Sequence, residues 1–256
     1  MATAELDEKT VTTNVVPDYF VRFVPRQRVE HIVLMVSFIV LAVTGLAQKY
    51  SSAGWGEWVI MNLGGIAYTR LIHRAFGLLF SLGAVYHFAF LGYSLLIRHA
   101  RPSMLPTLKD FQDVVATLRY SFGFIENPPQ YGRYDYRQKF EYWGLIFGSL
   151  MIIVTGFILV YPFVITNVLS GQFVAAAREL HGYEATLAVV VIVIWHLYDV
   201  IFKPGVFPGD FSIFTGKISR KRLIEEHTIE YNEIVGTKEN SEETPAELSS
   251  GDVIKA

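Results

Sequence analysis

The stretch LIHRAFGLLFSLGAVYHFAFLGYSLLI, Leu71–Ile97, holds one charged side chain, Arg74, and two histidines, His73 and His87, in an otherwise largely apolar run. A helix needs about 20 such residues, at ~1.5 Å each, to cross roughly 30 Å of hydrocarbon. Three further stretches reach about that length: Val29–Ala47, Tyr142–Val164 and Leu180–Phe202. The chain of 256 residues is 52% hydrophobic and 18% charged, more apolar than an ordinary soluble domain. The expected fold is therefore all-α, an integral membrane four-helix bundle over residues 28–203.

The flanks are different in kind. Residues 1–27 are polar, carry Glu5, Asp7 and Glu8, and lack the basic start and short apolar core of a cleaved leader, so the first span reads as a retained anchor. Residues 204–256 begin with Pro204, Pro208 and two glycines, continue through a basic patch and end Glu-rich; disorder is expected from about 237. Between spans two and three, Leu108, Phe111, Val115 and Leu118 recur at helical spacing behind Thr107 and Asp110, which predicts a capped amphipathic helix over about 107–120. Such a helix either lies on the membrane surface or packs on the bundle.

Basic residues gather before span one (Arg22, Arg26, Arg28), between spans two and three (Arg98, Arg101, Lys109, Arg119, Arg133, Arg137, Lys139) and after span four (Lys203, Lys217, Arg220, Lys221, Arg222). The positive-inside rule then places both termini and the middle loop in the cytoplasm, in a multi-pass protein of the cell's inner membrane. The absence of cysteine excludes covalent c-type haem attachment, cysteine-ligated iron–sulfur clusters and disulfides within the chain. The net charge of −2 gives no case for nucleic acid.

Five of seven histidines, His31, His73, His87, His181 and His196, lie in or at the edge of spans, where ionisable groups are costly and usually functional. His73 and His87 are 14 residues apart and His181 and His196 are 15 apart. At ~100° per residue these separations are about four turns less 40° and about four turns plus 60°, so each helix presents two imidazoles on one stripe, ~21–22 Å apart. Spans two and four run in the same direction, which brings His73 level with His181 and His87 level with His196. His31 can reach the second level too, leaving three candidates for two positions there. Gly77, Ala84, Ala185 and Ala188 keep the stripes small, and Gly144 and Gly148 thin span three, leaving room for a large flat ligand. Paired histidines around such a ligand predict b-type haem. Arg28, Arg74 and Arg178 are placed either to pair with its propionates or to anchor their helix ends to lipid headgroups. His99 and His227 stand outside the spans in polar company and read as solvated.

From Arg22 to Tyr231 the chain resembles the gamma cytochrome b subunit of membrane-bound formate dehydrogenase and the cytochrome b subunit of nickel–iron hydrogenase. The resemblance rests on Arg28 and His31 followed by Thr44-Gly45, Leu71-Ile72-His73 followed by Gly77, Gln138-Lys139 with Trp143 and Thr155-Gly156, His181, His196-Leu197-Tyr198, and Gly216-Lys217-Ile218-Ser219. It implies two b haems, with His73 and His181 at the outer one and His31 and His196 at the inner one. It also implies quinone, menaquinone or ubiquinone, handled near Asp135, Gln138 and Lys139. Two departures stand out: the span-four histidines are one residue further apart than in the dehydrogenase subunit, and His87 sits where that subunit is apolar. The pairs on spans two and four are similar instead to cytochrome b and b6 of quinol-oxidising complexes, so His87 stays a candidate inner ligand beside His31.

The expected function is that of a subunit, non-catalytic or quinone-reactive, carrying electrons between the quinone pool and an iron–sulfur or multihaem c-type cytochrome partner on the outer face. The rivals are a free-standing transmembrane ferric or ascorbate reductase, a haem-free membrane anchor and a metal transporter; the last expects carboxylates or thiols beside the histidines.

Overall fold

A computed structural model describes residues 16–100 and 102–242 of the chain; residues 1–15, which make up most of the polar N-terminal segment, Arg101 and the tail from 243 lie outside the described residues. In order, the elements are β1 (Tyr19–Val21), α1 (Pro25–Lys49), α2 (Gly54–Asn62), α3 (Ile66–Leu96), α4 (Leu108–Ser121), α5 (Tyr136–Val160), α6 (Pro162–Thr166) and α7 (Gly171–Val191). Two π-helical turns, Ile192–His196 and Tyr198–Phe202, prolong α7, and α8 (Ser212–Thr215), β2 (Lys217–Ser219), α9 (Arg220–Glu226) and α10 (Thr228–Glu242) follow.

The four expected spans are α1, α3, α5 and the prolonged α7, of 25, 31, 25 and 32 residues. Each starts ahead of its apolar run, because polar residues beyond the hydrocarbon continue a helix without penalty. Span three, expected to reach Val164, instead ends at Val160. Pro162 cannot donate a backbone hydrogen bond and forces Tyr161 out of helical geometry, then serves as the first residue of α6. The helices close into a ring in the order α3, α1, α7, α5, with α3 and α5 touching.

The bundle is inside-out relative to a soluble protein. The side chains buried along the four helices are mostly small, Ser37, Thr44, Ala47, Thr69, Ser149, Thr155 and Ala177, with Phe80 the large exception. Leucines, valines and phenylalanines face outward, as van der Waals packing of helices in lipid favours. Helix α2 was not foreseen. It places Trp55 and Trp58 outward at the far end of α1, the position where tryptophan marks a membrane interface. The positive φ of Gly64 and Gly65, 88° and 96°, makes the turn from α2 into α3.

Helix α4 forms as expected, opened by a capping box in which the Thr107 N–H and hydroxyl both donate to Asp110. Its acidic residues turn toward the protein: Asp110 receives Lys139 of α5 at 2.8 Å, and Asp113 is buried and paired with Lys109 at 2.7 Å. Leu108, Phe111, Val115 and Leu118 remain exposed, an apolar stripe suited to a bilayer surface.

Both ends of the described chain meet on one side of the bundle, as an even number of spans requires. There β1 and β2 pair antiparallel, Phe20 opposite Ile218, and Phe20, Ile218 and Leu223 form a small core with Val16, Tyr231 and Ile234. Gly216 turns α8 into β2 with φ 79°; a Cβ there would lie 2.9 Å from the Phe23 carbonyl, which accounts for glycine in the Gly216-Lys217-Ile218-Ser219 run. His227 corrects an expectation, because it is buried rather than solvated. It lies in an ionic clasp in which Glu230 accepts from Arg22 and Arg133, each at 2.7 Å. Helix α10 runs to Glu242, with Tyr231 and Ile234 anchoring its start to that core; the disorder expected from about 237 falls mostly on residues outside the described ones.

Candidate haem-ligating site

Helices α3 and α7 bring His73 and His181 together with ring centres 6.2 Å apart, and α1 and α7 bring His31 and His196 together at 6.3 Å. An iron held between two imidazoles needs about 2.0 Å to each nitrogen, and with ~1.2 Å from nitrogen to ring centre the two centres come to roughly 6.4 Å. Both pairs have this spacing. They share α7 and stack along it, one level toward α2 and the other toward the β ribbon.

The ring orientation at the first level comes from a repeated Thr-Gly dipeptide. Thr44 donates its hydroxyl to the Val40 carbonyl at 2.7 Å and so accepts from His73 Nδ1 at 2.9 Å. Thr155 donates to the Met151 carbonyl at 2.7 Å and accepts from His181 Nδ1 at 3.1 Å, with the Ile152 carbonyl 3.2 Å from the same nitrogen. Both imidazoles therefore carry their proton on Nδ1 and keep the Nε2 lone pair for a metal. The glycine after each threonine clears the ring: a Cβ on Gly45 would stand 2.9 Å from His73 Cε1, and one on Gly156 3.3 Å from His181 Cε1. Gly45→Val is expected to push the His73 ring aside and to cost any haem held at this level without disturbing the second; haem per protein in the purified variant checks it.

At the second level His196 Nδ1 lies 2.7 Å from Glu141 of α5, which again leaves Nε2 for a ligand. Among the described residues the buried His31 Nδ1 has no hydrogen-bond partner. The extra residue between the span-four histidines is taken up by the π-helical turn Ile192–His196. Straight α-helix would turn His196 about 60° past His181, but with roughly 85° per residue over a five-residue i→i+5 turn the total returns to about four whole turns. His196 thus stays on the face that carries His181.

His87 is placed differently. Its Nδ1 lies 3.0 Å from Glu30 and its Nε2 3.1 Å from the Tyr142 hydroxyl, so both ring nitrogens are engaged within a chain linking α1, α3 and α5. Glu30 also pairs with Arg26, whose guanidinium sits 3.5 Å over the Phe90 ring. Sequence reading missed Thr44, Thr155, Glu30, Glu141 and Tyr142 as functional neighbours; the recurrence of Thr-Gly on spans one and three was the one available signal.

The arginines divide. Arg74 and Arg178 are exposed and make no ion pair with the described residues, whereas Arg28 donates to the Phe214 carbonyl and keeps its buried Nε unpartnered. Asp135, Gln138 and Lys139 are engaged with protein groups. Asp135 caps α5 by accepting from Gln138 N at 2.9 Å, Gln138 returns the bond to Asp135 N at 3.2 Å, and Lys139 holds Asp110. Arg137 pairs with Asp135 at 2.6 Å.

The profile of the prokaryotic cytochrome b561 family matches residues 22–209. The cytochrome b556(fdo) subunit of formate dehydrogenase from Escherichia coli K12 is 23% identical over 227 residues, covering 88% of this chain and 98% of the relative. The cytochrome b556(Fdn) subunit of the nitrate-inducible formate dehydrogenase of the same strain is 22% identical over 215 residues, 83% and 91% of the two chains.

Proposed function

Since the chain belongs to the prokaryotic cytochrome b561 family, and is thereby an integral membrane cytochrome b that carries electrons on haem b, we propose that it holds two haems and exchanges electrons between membrane quinone and a redox partner subunit. The observation that carries the reading is the two imidazole pairs, each at metal-bridging distance, stacked along one helix. Bound haem supplies one-electron chemistry at iron.

The chain's own residues hold and orient the groups. His73 and His181 take the outer position, their rings fixed by Thr44 and Thr155. His31 and His196 take the inner one; His31 is preferred over His87 because its ring faces His196, whereas both nitrogens of His87 are bonded elsewhere. Arg74 and Arg178 are free to meet propionates, and Arg28 does so with its remaining donors.

Quinone, menaquinone or ubiquinone, sits beside the start of α5, where Asp135, Gln138 and Lys139 form the rim. Binding there exchanges one of their existing bonds for one to a quinone carbonyl. The distribution of basic residues puts this end and both termini in the cytoplasm of a cell with the protein in its inner membrane. A partner redox subunit is supported by the relatives being named as subunits of formate dehydrogenase; we assign it to the opposite, outer end and to the iron–sulfur or multihaem c-type class.

Purified protein is expected to contain two b haems per chain and, in liposomes, to be reduced by added menaquinol or ubiquinol. Haem reduced by dithionite but by neither quinol would overturn the quinone role. Wild type without haem, after haem is supplied during expression, would overturn the reading and leave a membrane anchor.

A further inference from the structure

The two levels differ in the charge of what touches their histidines. At the outer level the Nδ1 partners are uncharged: the Thr44 and Thr155 hydroxyls and the Ile152 carbonyl. At the inner level Glu141 Oε1 stands 2.7 Å from His196 Nδ1, an ion-pair contact without hydrogen-bond geometry. The side chain of Glu141 is largely buried, and among the described residues no arginine or lysine pairs with it. Of the other carboxylates in the spans, Asp199 stands 3.9 Å from the Arg137 guanidinium. Glu30 is shared by Arg26 and His87, and Glu184 packs against Gly148 on α5.

We propose that Glu141 is a positioning residue that makes the inner haem site more reducing than its histidines alone would, by holding its carboxylate against the His196 ring. Charge beside a ligand is a recognised lever on haem potential, and a nearby anion stabilises ferric over ferrous iron. In a low-dielectric span that charge is weakly screened. The outer pair, held by hydroxyls, lacks it. Glu141 therefore builds an asymmetry between the two levels and biases the inner one toward giving its electron to an acceptor at the start of α5. This inference rests on the assignment of His31 and His196 as inner ligands.

The test is an optical redox titration of the reduced b band in wild type, Glu141→Gln, Glu141→Asp and His31→Ala, with haem counted per protein. His31→Ala identifies the inner wave as the one that disappears. Glu141→Gln preserves an oxygen acceptor and removes the charge, so it is expected to keep both haems and move only the inner wave to more positive potential. Glu141→Asp is expected to stay near wild type. An inner wave unmoved in Glu141→Gln, both waves moving together, or haem lost from both Glu141→Gln and Glu141→Asp would overturn the proposal. Retention of both waves in His31→Ala would instead overturn the ligand assignment beneath it.

Discussion

His31→Ala is expected to leave one low-spin b haem per chain, and His87→Ala to leave two. Three histidines compete for two inner positions, and the side-chain arrangement weighs them unequally. His31 and His196 face each other at 6.3 Å between ring centres, close to the separation a bridging iron needs, and His31 Nδ1 makes no bond that holds the ring elsewhere. His87 would have to break its contact with Tyr142 or Glu30 before either nitrogen could reach a metal. Replacing it leaves Glu30 still paired with Arg26, so the loss is local. Haem extraction per protein, with low-temperature magnetic resonance to count low-spin centres, separates the two variants. A His87→Ala protein that loses a haem while His31→Ala keeps both would reverse the assignment.

Glu230→Ala is expected to cost the ribbon end about 3–5 kcal/mol, the usual penalty for removing one partner of a buried ion pair. Glu230 and Arg22 are 8% and 3% exposed, and Arg22 would be left as a buried cation with no carboxylate against it. The bond from Arg133, whose side chain is more than a third exposed, contributes little to this figure. Since Arg22 belongs to the segment between β1 and α1, and Arg133 to the approach to α5, faster amide exchange is expected in β1, β2 and α10 while α1, α3, α5 and α7 stay protected.

The same clasp weakens in acid. His227 donates through Nδ1 to the Gly132 carbonyl at 2.8 Å and meets Arg22 through Nε2 at 3.1 Å, which requires a neutral ring. Burial first, and then the Arg22 cation, push its pKa below the ordinary value of 6.5. The unfolded state then binds the proton more readily than the folded one, so the contribution is fully present above about pH 6.5 and falls as the pH drops through and below it.

Much of the architecture was legible because its causes are local. Leu71–Ile97 announces a span through length and the near-absence of charge, and Thr107 with Asp110 announces the start of α4 through a hydrogen-bonding pattern that needs only four residues. Pro162 could have marked the end of α5 by the same logic, but the apolar run continues past it and the hydropathy reading followed the run. Helix α2 was lost because nine residues are too few to stand out by hydropathy. His227 was misread because its burial depends on Arg22, 205 positions away, rather than on its polar neighbours.

The candidate site divides in the same way. The sequence by itself determined that this is a four-span membrane protein with two levels of histidines and a b-cytochrome resemblance, since composition, length and helical phase are properties of a single helix. Only the tertiary structure decided that His31 faces His196, that Glu30 and Tyr142 occupy His87, that the Thr-Gly pairs seat His73 and His181, and that Glu141 reaches His196. Which face meets which neighbour depends on how four helices pack and where one of them widens into a π turn. Phase along a single helix, counted as though it were straight, contains neither.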